Sequence, residues 1–232
     1  MRFEDLAGLS LKEKIHKLKE EEYTELYNDD FMRFERVGMD FQEKIKVMDD
    51  NETGNLYWWV LAKMRGKCLD VGCGFGILAH YAVNKGLDYT GVDVSDKAIK
   101  KAQESVPKGK FQVGFAEKLP FKDNEFDTVV GTEIIEHVKN DKEVIKEIFR
   151  VCKPGGRVIL TTPKESMLQD RMHVREYNYY DIVRLIKEFT DDFTLSNINK
   201  FYNSLPNDRL LLNSKVMEVK TNVFAIIAKK EG

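Results

Sequence analysis

No stretch of this 232-residue sequence is apolar enough to resemble a membrane span. Its opening residues, MRFEDLAGLSLKEK, hold no apolar run of signal-peptide length, so no membrane partner is expected and the chain reads as cytoplasmic. Cysteine is scarce. The three residues Cys68, Cys73 and Cys152 are odd in number and lack a C-x-x-C spacing, which argues against a disulfide framework and suits reduced thiols. Positive charge is not in excess either: 37 Lys and Arg against 39 Asp and Glu leave a net charge of −2. Without a basic footprint, no tight binding to long nucleic acid is expected. What remains is a globular composition, 42% hydrophobic and 33% charged, that suits one domain or a core domain with a small cap.

Residues 10–36 are rich in Lys, Glu and Leu, with Leu11, Ile15, Leu18 and Leu26 at helical spacing. The run KLKEEE reads as a solvated helix face. A second helical stretch, 54–64, carries Tyr57, Trp58 and Trp59. Residues 1–50 are expected to form a helical cap, and residues 51–232 the main domain, with Tyr57, Trp58 or Trp59 on the entry side of its pocket.

From residue 67 short apolar runs alternate with helical patterns. KCLDV, DYTGVDV, KFQVG, FDTVVGT and RVILTTP read as strands, separated by helices such as ILAHYAVNKG and DKAIKKAQES, the latter capped by Ser95. The fourth strand is followed by a helix expected to contain IIEHV. FTLSNINKF and KTNVFAIIAKK read as two final strands joined by a loop-like stretch, so they should pair antiparallel at one edge. The expected class is α/β: a doubly wound, seven-stranded, Rossmann-like sheet with a reversed last strand.

The clearest chemical signal is LDVGCGFG, a strand entering a loop with Gly72, Gly74 and Gly76 before a helix. Glycines allow positive φ angles and a close approach of ligand to backbone. The spacing G-x-G-x-G is neither the dinucleotide fingerprint nor a phosphate-binding loop. Asp93 closes the second strand, where a carboxylate can accept both hydroxyls of a ribose. Asp70 precedes the first glycine and is placed to receive an ammonium group. A ligand with a ribose and an amino-acid tail fits this pair.

In these segments, and in GFAEKLPF, DNEFDTVV and KPGGRVILTTP, the chain resembles the class I S-adenosylmethionine-dependent methyltransferases from about Tyr57 onward. The resemblance implies S-adenosylmethionine as cofactor and S-adenosylhomocysteine as product. It implies a site in which Asp70, Gly72, Cys73, Gly74 and Gly76 take the methionine end, and Asp93 and Val94 the ribose. Ala116 and Glu117 would then meet the adenine, with Thr132 on the pocket wall. Many relatives have Asp where this chain has Phe115, so the adenine amino contact is expected to move to Glu117, with Phe115 supplying apolar contact.

Glu133, Glu136 and His137 in TEIIEHV share a face if the stretch begins a helix. It follows the fourth strand, at the carboxyl ends where open α/β sheets bind ligands. Three readings stand: a metal site, a base cluster, or an acidic first turn that suits the helix dipole. The E-x-x-E-H pattern is similar to that of ubiquinone-pathway O-methyltransferases and of small-RNA 3′-terminal 2′-O-methyltransferases. In both the resemblance implies a divalent ion, for which His173, in HVREYN, would complete the set Glu133, Glu136, His137 and His173. The preferred reading has no metal: a polar pocket wall with His137 handling the acceptor's proton and Glu133 and His173 beside it. The expected activity is methyl transfer to an oxygen or nitrogen of a small molecule. The alternatives are an RNA-terminal methyltransferase and a non-catalytic cofactor-binding module.

Overall fold

The structure is a computed structural model, and it describes residues 11–36, 41–42, 45, 56–163, 172–199, 209–212, 215–218 and 222–231. Three helices come first: α1 (Leu11–Lys17), α2 (Glu20–Arg36) and α3 (Leu56–Leu61). Strands and helices then alternate as β1 (Lys67–Val71), α4 (Ile77–Asn84), β2 (Asp88–Asp93), α5 (Asp96–Ser105) and β3 (Lys110–Val113). They continue as β4 (Phe126–Thr132), α6 (Asp141–Val151), β5 (Cys152–Pro163) and α7 (Tyr179–Lys187). Last come β6 (Phe193–Asn199), β7 (Arg209–Leu212), β8 (Lys215–Glu218) and β9 (Asn222–Lys229).

Seven strands form one sheet in the order β3-β2-β1-β4-β5-β9-β6. The first five are parallel, and β9 enters antiparallel between β5 and β6. This is the expected doubly wound sheet with a reversed last strand. β1 is buried from Cys68 to Val71, as befits a strand covered on both faces. Neighbouring residues serve opposite faces, in keeping with a two-residue period. Val129 and Leu160 pack on the α6 and α7 side, while Val130 and Ile159 pack on the α3 and α4 side. Strand order reverses between β1 and β4, so a crevice opens at their carboxyl ends.

Ile15, Leu18 and Tyr23 from α1 and α2 cluster with Val174, and Val94 and Phe115 pack against them. The rest of the expected 1–50 cap (residues 1–10, 37–40, 43–44 and 46–50) lies outside the described residues, as do 164–171 and 200–208. Among the described residues, no helix is long and apolar enough to cross a membrane.

Two local expectations need correction. The loop-like stretch before the last strand contains a two-stranded antiparallel ribbon, β7 with β8. More important, IIEHV is not helical: Ile134–Lys139 form an irregular turn, and α6 begins only at Asp141. The acidic first turn of that helix is Asp141 and Glu143, not the glutamates of TEIIEHV. The side chain of Asn140 accepts the amide of Glu143 and sets the boundary.

The boundary can be checked by Asn140→Ala. Loss of an N-cap should destabilise the protein by about 0.5–2 kcal/mol in denaturant unfolding. A helix that ran through 134–151 would instead be stabilised by alanine at an interior position.

Candidate active site

At the end of β1 the chain turns through Gly72, with φ 78°, where a Cβ atom would lie 2.6 Å from Cδ1 of Ile134. The amides of Gly72 and Cys73 both donate to the carbonyl of Val92, at 2.8 and 3.1 Å, fastening the loop to the end of β2. Gly74, with φ 50°, faces open space, and its amide donates to Asp93 Oδ2 at 2.9 Å. Gly76 caps α4 with φ 88°. The Cys73 thiol is buried against Gly91, and burial pushes its pKa up, so the loop offers its backbone rather than a nucleophile.

Asp93 takes the Ser95 amide on its other oxygen at 2.9 Å. Burial raises its pKa, opposed by the amides of Ser95, Gly74 and Val94. The Ser95 hydroxyl donates to Asn28 Oδ1 at 2.7 Å, and Asn28 Nδ2 donates to Asp96 Oδ1 at 2.6 Å. Helix α2 is thereby tied to the loop that holds Asp93. Val94, Phe115 and Tyr23 make an apolar bay on this side, with the Phe115 and Tyr23 rings stacked 6.1 Å apart. Ala116 is buried beside it, and Glu117 accepts the Lys139 amide at 3.2 Å.

Asp70 is 3% exposed. Its Oδ2 accepts the Tyr89 hydroxyl at 2.5 Å, whereas its Oδ1 is buried without a hydrogen-bond partner. Burial pushes its pKa to about 7; the Tyr89 bond pulls it down and the charge of Asp93 pushes it further up. Tyr57 lies close enough to feel both Asp70 and Glu133, which places α3 at the same crevice. Trp58 instead packs on Tyr81, and Trp59 stacks under Lys63.

On the far side of the crevice, Thr132 Oγ1 is buried and has no partner. Glu133 has φ 53°, a conformation that costs a non-glycine residue about 1–3 kcal/mol. Three bonds hold it there: its amide to the Thr161 carbonyl at 3.0 Å and to Thr161 Oγ1 at 3.2 Å, and Thr161 Oγ1 to its carboxylate at 3.1 Å. Glu136 is buried and accepts the Thr162 hydroxyl at 3.0 Å.

His137 Nδ1 lies 3.0 Å from the Met172 carbonyl. A carbonyl only accepts, so Nδ1 carries the proton and Nε2 carries the lone pair of the neutral ring. The His173 ring packs edge-on at 4.7 Å. Ligand-type atoms of Glu136, His137 and His173 lie within 4.8 Å of one another, and Glu133 is outside that group.

Tyr27, Asn28, Tyr89, Arg175 and the two threonines of β5 build this region and were not foreseen. Arg175 sat inside the quoted HVREYN and the threonines inside the quoted strand, but nothing in spacing tied them to TEIIEHV.

A family model for a methyltransferase domain matches residues 69–160. The chain is 33% identical over 135 residues to norajmaline N-methyltransferase of Rauvolfia serpentina, covering 55% of this chain and 45% of that protein. It is 33% identical over 132 residues to the ubiquinone biosynthesis O-methyltransferase of Methylococcus capsulatus, 55% of each chain. Residues 69–160 of this chain are thus similar to a methyltransferase domain. The match spans about half the length of these two relatives. A Thermotoga maritima structure described as an S-adenosylmethionine-dependent methyltransferase shares the fold at TM-score 0.62 and 21% identity, covering 85% of this chain and 98% of that one. The residues of this segment fit S-adenosylmethionine. The unpartnered, buried oxygen of Asp70 is complementary to an ammonium group, the open face at Gly74 admits close approach, and Asp93 keeps lone pairs for hydroxyls.

Asp70 makes a stability test. An acid whose folded pKa is about 7, against roughly 3.9 unfolded, is protonated in the fold and ionised in the open chain between those values. Folding then takes up a proton, and stability falls as pH rises through that window. In Asp70→Asn this loss is absent, so the melting temperature of the variant should gain on the wild type from about pH 4 to about pH 7. Parallel curves would mean that Asp70 is ionised in the empty protein.

Proposed function

We propose that this protein transfers a methyl group from S-adenosylmethionine to an oxygen or nitrogen of a small molecule. The observation that carries the reading is the pairing, across one crevice, of the Asp70–Gly74–Asp93 cradle with a histidine whose Nδ1 is held by a carbonyl. The cofactor supplies an electrophilic methyl on a sulfonium. In the proposed site Asp70 receives the ammonium, and Gly72, Cys73, Gly74 and Gly76 border the methionine end. Asp93 and Val94 take the ribose. Ala116, Glu117 and Phe115 border the adenine, and Thr132 lines the wall beneath. Positioning the acceptor in line and removing its proton is then the main chemical work left to the protein.

His137 is the proposed base, acting through Nε2, with Glu133 and His173 beside it. Residues 1–50 are the proposed helical cap, and residues 51–232 the methyltransferase domain. The contacts of Tyr23, Tyr27 and Asn28 with the domain support this division. The relatives named for norajmaline and for ubiquinone biosynthesis support a small-molecule acceptor. Three buried, unbridged cysteines support a cytoplasmic location.

A second reading is favoured by the cluster of Glu136, His137 and His173. One carboxylate and two imidazoles fit a divalent ion, which would lower the pKa of an acceptor hydroxyl.

The cofactor assignment is tested by calorimetry with S-adenosylhomocysteine. Asp93→Ala removes charge-assisted hydrogen bonds of about 1.5–3 kcal/mol, so affinity should drop tenfold or more. Unchanged affinity would refute the ribose assignment.

The base is tested on a panel of phenol, catechol and amine acceptors. His137→Ala should lower turnover by about a hundredfold while S-adenosylhomocysteine affinity holds. Full wild-type activity in a chelator, with loss in the variant, selects the base. Activity abolished by the chelator and restored by Mg, Mn or Zn selects the ion. Normal turnover in both tests removes His137 from the chemistry.

A further inference from the structure

Five consecutive carbonyl oxygens, from Ile135 to Lys139, are each taken by a donor from another part of the chain. The Ile135 oxygen receives Arg175 Nη1 at 2.7 Å and the Tyr177 hydroxyl at 3.3 Å. The Glu136 oxygen receives the Val174 amide at 2.9 Å, and the His137 oxygen receives the Tyr27 hydroxyl at 2.9 Å. The oxygens of Val138 and Lys139 receive Arg175 Nη1 and Nη2 at 2.7 and 2.9 Å. One guanidinium thus serves three of the five. Its side chain is 14% exposed, and its nearest carboxylate contact is Nε to Asp141 Oδ2 at 3.7 Å. A planar, permanently charged fork aimed at main-chain oxygens sets backbone geometry rather than holding a ligand.

The intrinsic preference of this stretch is different. EIIEHVKN contains neither glycine nor proline, and its 3,4 spacing reads as the first turns of α6. In a helix the carbonyls of 135–139 would bond the amides four residues on. Arg175 withdraws three of them from that ladder, and α6 starts at Asp141 instead. The same segment supplies the Met172 carbonyl for His137 Nδ1 and the Val174 amide for Glu136. Were the turn to become helical, the imidazole would leave Met172 and its tautomer would no longer be fixed.

We propose that Arg175 is the positioning residue of this site, holding the 135–139 turn out of helical form and so fixing the imidazole of His137 on the Met172 carbonyl beside His173. The functional consequence rests on the reading of His137 as the proton handler. The structural consequence does not. Arg175 touches no reacting atom, and its effect passes through His137.

The test uses the full chain with 15N-labelled histidine and no cofactor, in wild type, Arg175→Lys and Arg175→Ala. Wild-type His137 should show the Nδ1–H tautomer. Arg175→Ala should show a mixture of both tautomers with helical circular dichroism equal to or above wild type. Arg175→Lys, with one ammonium for three carbonyls, should fall between. In turnover of whichever panel acceptor is methylated, kcat should drop tenfold or more in Arg175→Ala with KM for S-adenosylmethionine within about twofold. Added guanidinium ion should restore part of that loss, and restore none in His137→Ala. An unchanged Nδ1–H tautomer in a folded variant overturns the proposal. So does wild-type behaviour of Arg175→Lys combined with collapse of melting temperature, cofactor affinity and tautomer together in Arg175→Ala, which is the pattern of a purely structural arginine. Failure of the wild type to bind S-adenosylhomocysteine would sink the methyltransferase reading while leaving the tautomer result to stand by itself.

Discussion

Asp93 ends β2 with one carboxylate oxygen on the amide of Gly74 and the other on the amide of Ser95. The first bond spans nineteen residues of chain, and the second closes a local turn. The first fixes the glycine loop after β1 in its positive-φ path, and the second starts α5, whose cap is the Ser95 side chain. Ser95 then passes the restraint outward, since its hydroxyl is bonded to Asn28 on α2. Loop, helix start and N-terminal helix are therefore arranged around a single carboxylate. The lone-pair directions it has left are the ones a ribose would use.

The crevice carries charge in places where charge is costly. Asp70 is buried beside Asp93, and the Tyr89 hydroxyl compensates part of its desolvation. Glu133 sits in a left-handed conformation, and Glu136 is 1% exposed. If stability alone were at issue, glycine at 133 would relieve the strain and apolar residues at 70 and 136 the desolvation. Strain and poorly compensated burial tend to gather where a ligand completes the set of contacts. The distribution here follows that rule: the half-compensated Asp70 lies on the cradle side, and the strained glutamate lies opposite.

The fold was legible because its signals are local. KCLDV, DYTGVDV and FDTVVGT read as buried strands, and the loop glycines occupy the positive-φ positions that only a tight turn requires. TEIIEHV was misread as a helix start for the opposite reason. Its conformation is decided by Arg175, Tyr177 and Val174, some forty residues on, and by Tyr27, 110 residues before. Local propensity is a weak prior against so many long-range donors. The ribbon of β7 and β8 escaped because leucines beside asparagine and serine do not distinguish a short hairpin from a loop. The residues proposed for the site could be named from the sequence, but the partners that hold them could not.

Several of those partners lie outside the segment that the methyltransferase model matches. The segment shared with the family runs from 69 to 160 and holds the cradle, Thr132, Glu133, Glu136 and His137. Tyr27, Asn28 and Arg175 lie outside it, and they clamp its two halves. On α2, two adjacent residues reach opposite sides of the crevice, Asn28 to the loop after Asp93 and Tyr27 to the carbonyl of His137. Neighbouring side chains on one rigid helix cannot be displaced independently. Any shift of α2 therefore changes the spacing between the Asp93 loop and His137. A common core can keep one cofactor geometry while the flanking helix and the 172–177 segment adjust what reaches it.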